Sequence, residues 1–251
     1  MCLLALAVDP HPSLRFVLAA NRDEAFERPT REAHFWDDAP DVLAGRDLRA
    51  GGTWLGVTRA GRLAAITNVR DPAARREGRS RGEIPRGFLV GSHPAASFAD
   101  DLRGRARDYP SFNVFAGDAD GCFYVNERDE GSVPLGQGVH VVSNGRLGDP
   151  WPKVGKARFV LGTAVSGDGA VDVEALFRLL SDDRQAPDEE LPSTGVPLEI
   201  ERMLSPLFIR GAAYGTRCST VVVMYRNGRI GFEERSFGPN AMPLGTVSVN
   251  L

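Results

Sequence analysis

Short apolar runs broken by Gly, Pro and Asp fill the first 70 residues, a rhythm that predicts antiparallel strands. Residues 3–8 and 15–20 read as one hairpin turning at Asp9-Pro10-His11-Pro12, and residues 53–58 and 63–68 as a second turning at Arg59-Ala60-Gly61-Arg62. Both pairs are rich in alanine and leucine rather than alternating with polar residues, so their faces are expected to lie under other layers.

Residues 71–83 are polar and arginine-rich and read as an exposed loop. Helices are predicted near 85–91 and 94–107, the second after a His93-Pro94 break with Phe98 and Leu102 on one face. Strands return at 112–116, 122–126 and 139–143. Residues 154–161 and 171–180 read as helices, the latter with Val173, Leu176, Phe177 and Leu180 at helical spacing. A surface loop is expected over 182–198, and the chain closes with strands 220–225 and 230–234 joined at Asn227-Gly228. Blocks of strands and helices without internal repeats predict stacked α and β layers, an α+β fold in one domain spanning 1–251.

Composition narrows the partners. With 251 residues, 42% apolar and 25% charged, the chain is long enough for a full core and excludes disorder. The longest apolar run, residues 2–8, falls well short of the roughly 18 residues of a membrane helix and lacks the flanks of a secretory signal. A cytoplasmic chain without stable membrane insertion is the expectation. The net charge of −3 offers no field to attract nucleic acid. Only Lys153 and Lys156 are lysines among the 30 basic residues, a bias read mainly as genomic.

Cys2, Cys122 and Cys218 are odd in number and show no C-x-x-C spacing, which argues against disulfides and structural zinc. Cys122 and Cys218 are taken as small buried residues. Four isolated histidines, His11, His34, His93 and His140, show no paired spacing, so no metal or other cofactor is expected. No glycine-rich phosphate loop occurs.

Cys2 is the first unusual position. Initiator methionine is removed most readily before a small residue, which would give a mature chain whose first residue carries both thiol and α-amine. The amine titrates near ~7.7–8.0 and a thiol near ~8.5, so the amine can take the thiol proton at neutral pH. The plainer reading is a small apolar residue opening a strand. Asn21-Arg22-Asp23-Glu24 follow directly on the second predicted strand, and the hairpin brings Asn21 just past the partner of Cys2. There an arginine would favour the thiolate and a carboxylate would hold the amine. The plainer reading is a solvated turn.

Eight ordered strings make the comparison specific: A-A-N-R-D-E at 19–24, G-G-T-W-L-G at 51–56, A-A-I-T-N at 64–68, R-G-E at 81–83, F-N at 112–113, S-N-G at 143–145, P-W-x-K at 150–153 and Y-G-T-R at 214–217. Together they resemble the NRDE family, the group named for transport and Golgi organisation protein 2 in animals. That family is in turn similar to the N-terminal nucleophile hydrolases of the bile-salt hydrolase and penicillin V acylase group.

The resemblance implies a four-layer αββα sandwich, two antiparallel sheets between helices, with Cys2 as nucleophile. In that group an arginine and an aspartate three residues apart assist. Here Arg22 and Asp23 are adjacent, and the spacing of three belongs to Asn21 and Glu24, so the roles do not map one to one. Asn68 matches an asparagine whose backbone helps form the oxyanion hole, and Asn144 one whose side chain donates to the same oxyanion; each also reads as a turn asparagine. The group's late arginine is assigned to Arg217, with Arg158 the weaker choice. Trp54 either lines an apolar substrate pocket or packs as a core residue under a glycine-tight turn.

Two functions follow from the resemblance. One is a cysteine amidohydrolase acting on a linear, non-peptide carbon–nitrogen bond of a small acylated substrate. The other is a carrier without turnover that binds haem or lipid and acyl ligands, as the animal members imply. No recognisable haem ligation motif occurs, and the oligomeric state is left open.

Overall fold

A computed structural model describes residues 2–73, 77–129 and 131–251, with Cys2 by its backbone alone. The chain opens with β1 (Cys2–Val8), β2 (Leu14–Ala25), β3 (Thr30–Trp36), β4 (Ala39–Asp47), β5 (Leu55–Thr58) and β6 (Leu63–Asn68). Two helices follow, α1 (Glu83–Val90) and α2 (Ala95–Gly104). Strands β7 (Phe112–Gly117), β8 (Cys122–Asn126), β9 (Val133–Leu135) and β10 (Gly138–Val142) lead to α3 (Pro152–Ala164), α4 (Val173–Leu180) and α5 (Leu198–Leu204). The chain ends in β11 (Tyr214–Tyr225), β12 (Ile230–Phe237) and β13 (Pro243–Asn250). These elements divide between two compact units.

The first unit holds an antiparallel sheet in the order β10-β1-β2-β11-β12-β13. The first hairpin forms as the sequence predicts, with Val8 opposite Phe16 and Leu4 opposite Ala20. One face of the sheet, carrying Leu3, Ala5, Val17, Ala19, Val221 and Val223, packs on Val154, Leu161, Leu176 and Leu180 of α3 and α4. The small alanines let the helices approach closely. Each fully buried leucine there contributes about 1.5–3 kcal/mol over its exposed state. Asp172 caps α4 by accepting from the Ala175 N–H at 2.8 Å.

The second unit holds a sheet in the order β3-β4-β5-β6-β7-β8-β9. Its expected hairpin is present, with Val57 opposite Leu63. Ala64, Ile66, Val114 and Val125 pack on Phe88 of α1 and Phe98 of α2, whose rings lie 4.9 Å apart. Both sheets thus carry helices on one face, the α+β arrangement expected.

Several expectations need correction. Residues 21–24 do not follow the second strand but continue it, because β11 pairs with β2 as far as Ala25 and overrides the weak strand preference of polar residues. For the same reason the late strand begins at Tyr214, not at 220. The helix predicted to 107 ends at Gly104, with a separate 3₁₀ turn at Ala106–Asp108. Strands β3, β4, β9 and β13 and helix α5 were not expected; β3 and β4 carry charged residues, and β9 and α5 are short. The loop expected over 71–83 includes 74–76, which lie outside the described residues, and its end is taken up by α1.

Candidate active site

Strand β2 runs between β1 and β11, so its backbone groups are held by the ladders on both sides and its polar side chains need partners of their own. Asn21 is buried. Its amide donates to the carbonyls of Leu180 at 2.8 Å and Leu207 at 2.7 Å, while the Ser219 hydroxyl donates to its Oδ1 at 2.6 Å. It ties the strand to the end of α4, the segment after α5 and β11. Both amide hydrogens of Asn21 are therefore committed to structural bonds.

Asp23 is buried as well and accepts from the Thr216 hydroxyl at 2.6 Å. The same Thr216 oxygen accepts from the Ile209 N–H at 2.9 Å. Burial raises the Asp23 carboxyl above its ordinary range, opposed by the charge of Lys153, the Thr216 bond and the charge of Arg22. Lys153 is itself buried, its ammonium donating to the Leu204 carbonyl at 2.8 Å. Glu24 is half-buried and accepts from the Ala25 N–H at 2.9 Å.

The backbone register puts Cys2 directly opposite Arg22. On its other side β1 pairs with β10 as far as Leu4 opposite Val142, and Asn144 lies in the bend two residues beyond that last pair. Cys2, Arg22 and Cys218 thus occupy one cross-strand row. The Cys2 side chain and Met1 lie outside the described residues. Arg22 and Asn144 are both buried. After Asn144 the chain passes close to Asp149, and a Cβ on Gly145 would lie 2.1 Å from its Oδ2 and force that carboxylate to move.

Arg217 is the extra residue of a bulge, since Thr216 pairs with Asp23 and Cys218 with Arg22. Its guanidinium donates to the carbonyls of Ala25 at 3.1 Å and Phe26 at 3.4 Å, at the end of β2 that also holds Arg22. It sits inside β11 and does not precede the strand, contrary to the sequence expectation. Arg158 donates to the Val139 carbonyl at 3.3 Å. In the second unit Asn68 closes β6 opposite Phe112, and half-buried Trp54 covers Gly45 so closely that a Cβ there would lie 2.2 Å from its ring. That contact supports the packing reading of Trp54.

Two participants escaped the sequence reading. Arg70 donates its N–H to the Asn144 carbonyl at 2.7 Å, lies with its guanidinium 4.9 Å from the Trp151 ring, and forms a buried ion pair with Glu201. Burial lowers the Arg70 pKa and the Glu201 charge opposes it. Nothing local marks that pair, whose members are 131 residues apart. Lys153 did carry a signal: it is one of two lysines in a chain that otherwise uses arginine.

Cys122 and Cys218 are both buried, as expected. Among the described residues no three His, Cys, Asp or Glu side chains gather as a metal site requires. Nor is any helix among them long and apolar enough to cross a membrane.

A family model described as Transport and Golgi organisation 2 matches residues 1–239. The Transport and Golgi organization protein 2 homolog of Bos taurus is 34% identical over 257 residues, covering 94% of this chain and 93% of its own. The Homo sapiens homolog is 32% identical over 258 residues with the same coverage, 94% and 93%. Among solved structures, the mutant C2A conjugated bile acid hydrolase from Clostridium perfringens has a TM-score of 0.54 at 9% identity, covering 100% of this chain and 92% of its own. At that identity the likeness concerns the fold alone, and it bears out the α+β sandwich class implied by the sequence motifs.

Proposed function

The chain belongs to the Transport and Golgi organisation 2 family, and from that premise we propose that it is a cysteine amidohydrolase of the N-terminal nucleophile type, working in the cytoplasm on small acylated amines. The observation that carries this reading is the register that sets the Cys2 backbone opposite Arg22, with buried Asn144 in the bend that follows β10, the strand paired with β1 on its other side. Further support comes from the fold shared with a bile acid hydrolase whose C2A variant was the one crystallised.

After removal of Met1, Cys2 Sγ attacks the acyl carbonyl carbon and its proton passes to the free α-amine of the same residue. Arg22 favours the thiolate by its charge, and Asp23 holds the amine as a cation. The Asn144 amide donates to the oxyanion, a contribution of about 3–4 kcal/mol for one such donor. The amine then gives the proton to the leaving nitrogen, the carbon–nitrogen bond breaks, and a thioester remains. Water attacks the thioester, releasing the acid and restoring the thiol.

Intact-mass measurement on the purified protein is expected to show loss of one methionine. Incubation with a panel of fatty-acyl and aryl-acyl amides is expected to release amine from at least one member, and Cys2→Ala to abolish the release. Hydrolysis unchanged in Cys2→Ala, or none with any amide, overturns the mechanism. The resemblance to the animal members leaves a second reading, a carrier for haem or acyl ligands, for which saturable binding in a Cys2→Ala background without turnover is the expected result.

A further inference from the structure

Each open edge of a sheet presents unpaired backbone groups, and proteins usually blunt such edges with charge, proline, bulges or shortness. Three of the four edges here follow that rule. Strand β3 carries Arg31, Glu32 and His34 and is interrupted by register shifts. Strand β9 has three residues with Pro134 in the middle. Strand β10 has five residues, begins at Gly138, and has the Arg158 guanidinium donating to its Val139 carbonyl.

The fourth edge, β13, is different. It is eight residues long, and no residue from 236 to 251 is charged in a chain that is 25% charged. Most of its positions are exposed, as are Met242 and Leu244 at 54% and 60%. Its hydrogen-bond phase is fixed by Ile230 and Leu251, which exchange both backbone bonds, 2.9 and 2.8 Å. Every second pair up the β12–β13 ladder repeats that exchange: Phe232 with Val249, Glu234 with Val247, Ser236 with Gly245. The intervening Thr246, Ser248 and Asn250 therefore turn their N–H and C=O groups away from β12.

We propose that β13 is a dimerisation edge, its occupant the β13 of a second copy of this chain running antiparallel about a two-fold axis. With the axis at Ser248, that residue meets its own mate while Thr246 of each copy meets Asn250 of the other. All three positions then exchange backbone bonds in both directions. The same register sets Val247 opposite Val249 of the partner copy on the other face, a pairing of β-branched side chains that favours antiparallel sheets. Polar residues meet polar ones, apolar meet apolar, and no like charges meet on the axis. A two-fold interface has to be self-complementary in this way. The proposal is independent of the catalytic reading.

Sedimentation of the full chain at micromolar concentration is the test. The wild-type protein is expected at twice the mass of one chain. Ser248→Pro removes an outward N–H without touching the bonds to β12, and is expected to sediment as a single chain with an unchanged circular dichroism spectrum. If that variant fails to fold, the double variant Thr246→Lys, Ser248→Lys keeps every backbone group and is expected to dissociate by repulsion across the axis. Ser248→Cys is expected to give a reducible covalent dimer, because paired residues at this type of position lie about 5.5 Å apart at Cα. A wild-type protein that stays at single mass, or an association that survives Ser248→Pro in folded protein, overturns the proposal.

Discussion

Asn21 and Ser219 face each other across the β2–β11 ladder, with the serine hydroxyl donating to Asn21 Oδ1 at 2.6 Å. The amide nitrogen of the same asparagine holds two carbonyls, Leu180 and Leu207, from segments far away in sequence. The first letter of the N-R-D-E string is thus a joint between the sheet and the elements on its helical face. Asn21→Leu would leave those groups buried without that partner, and each such loss costs about 1–3 kcal/mol. We expect a large fall in melting temperature. Asn21→Asp keeps the shape and the acceptor but not the donor, and is expected to fall at least as far. Stability unchanged in Asn21→Leu would show that the joint carries no weight.

Asp23 supplies a pH-dependent counterpart. Its folded-state pKa is raised, with burial the largest cause, so the native state binds the proton more tightly than the unfolded chain. Its contribution is intact in acid and is lost as pH rises from the ordinary carboxylate value through the raised one. Thr216→Val removes a bond that favours the ionised form and so widens that window. Its destabilisation is expected to grow as pH rises through that window to neutrality, whereas Thr216→Ser, which keeps the hydroxyl, stays near wild type. Chemical denaturation at several pH values measures this, and a cost independent of pH would place it in the Ile209 bond instead.

Both residues show why part of the site was legible in the sequence and part was not. The hairpin that sets Cys2 beside the N-R-D-E string was readable, because residues 3–8 and 16–20 are unbroken apolar runs around a proline turn. That the string itself is strand was not. Asparagine, aspartate and glutamate disfavour strands locally; β1 pairs with Asn21 and Arg22, and β11, nearly 200 residues later, carries the pairing on through Ala25. Arg217 was misplaced for the same reason, since a bulge leaves no local mark. Strand β13 escaped because Pro-Leu-Gly-Thr gives no clean alternation, although the absence of charge was visible.

Arg70 and Glu201 form an ion pair with both side chains almost wholly excluded from solvent. Removing one member of such a pair typically costs about 3–5 kcal/mol, because the other charge stays buried, whereas replacing both with apolar residues costs far less. Glu201→Gln keeps an acceptor for the Thr194 N–H, so its effect isolates the charge. We expect Glu201→Gln and Arg70→Met each to lower stability strongly and the double variant Arg70→Met, Glu201→Gln to recover most of the loss. Additive effects in that double-mutant cycle would mean the two charges are not coupled. The Arg70 N–H holds the Asn144 carbonyl, so the cycle also reports how firmly that turn is anchored.

The three cysteines should differ sharply in reactivity. Cys122 is buried and its thiol is pushed up to about 12 by the loss of solvent, so at neutral pH it is held as the unreactive thiol. Cys218 is 4% exposed, within the sheet between β2 and β12. Neither should react with iodoacetamide while the protein is folded. The proposed nucleophile, beside Arg22 and next to a free amine, should react readily. Native labelling at neutral pH followed by intact-mass measurement is therefore expected to show one adduct, lost in Cys2→Ala, and labelling in denaturant three and two respectively. A native adduct on Cys122 or Cys218 would contradict their burial. A native Cys2 that reacts no faster than a free cysteine at the same pH would remove the electrostatic activation on which the amidohydrolase reading depends.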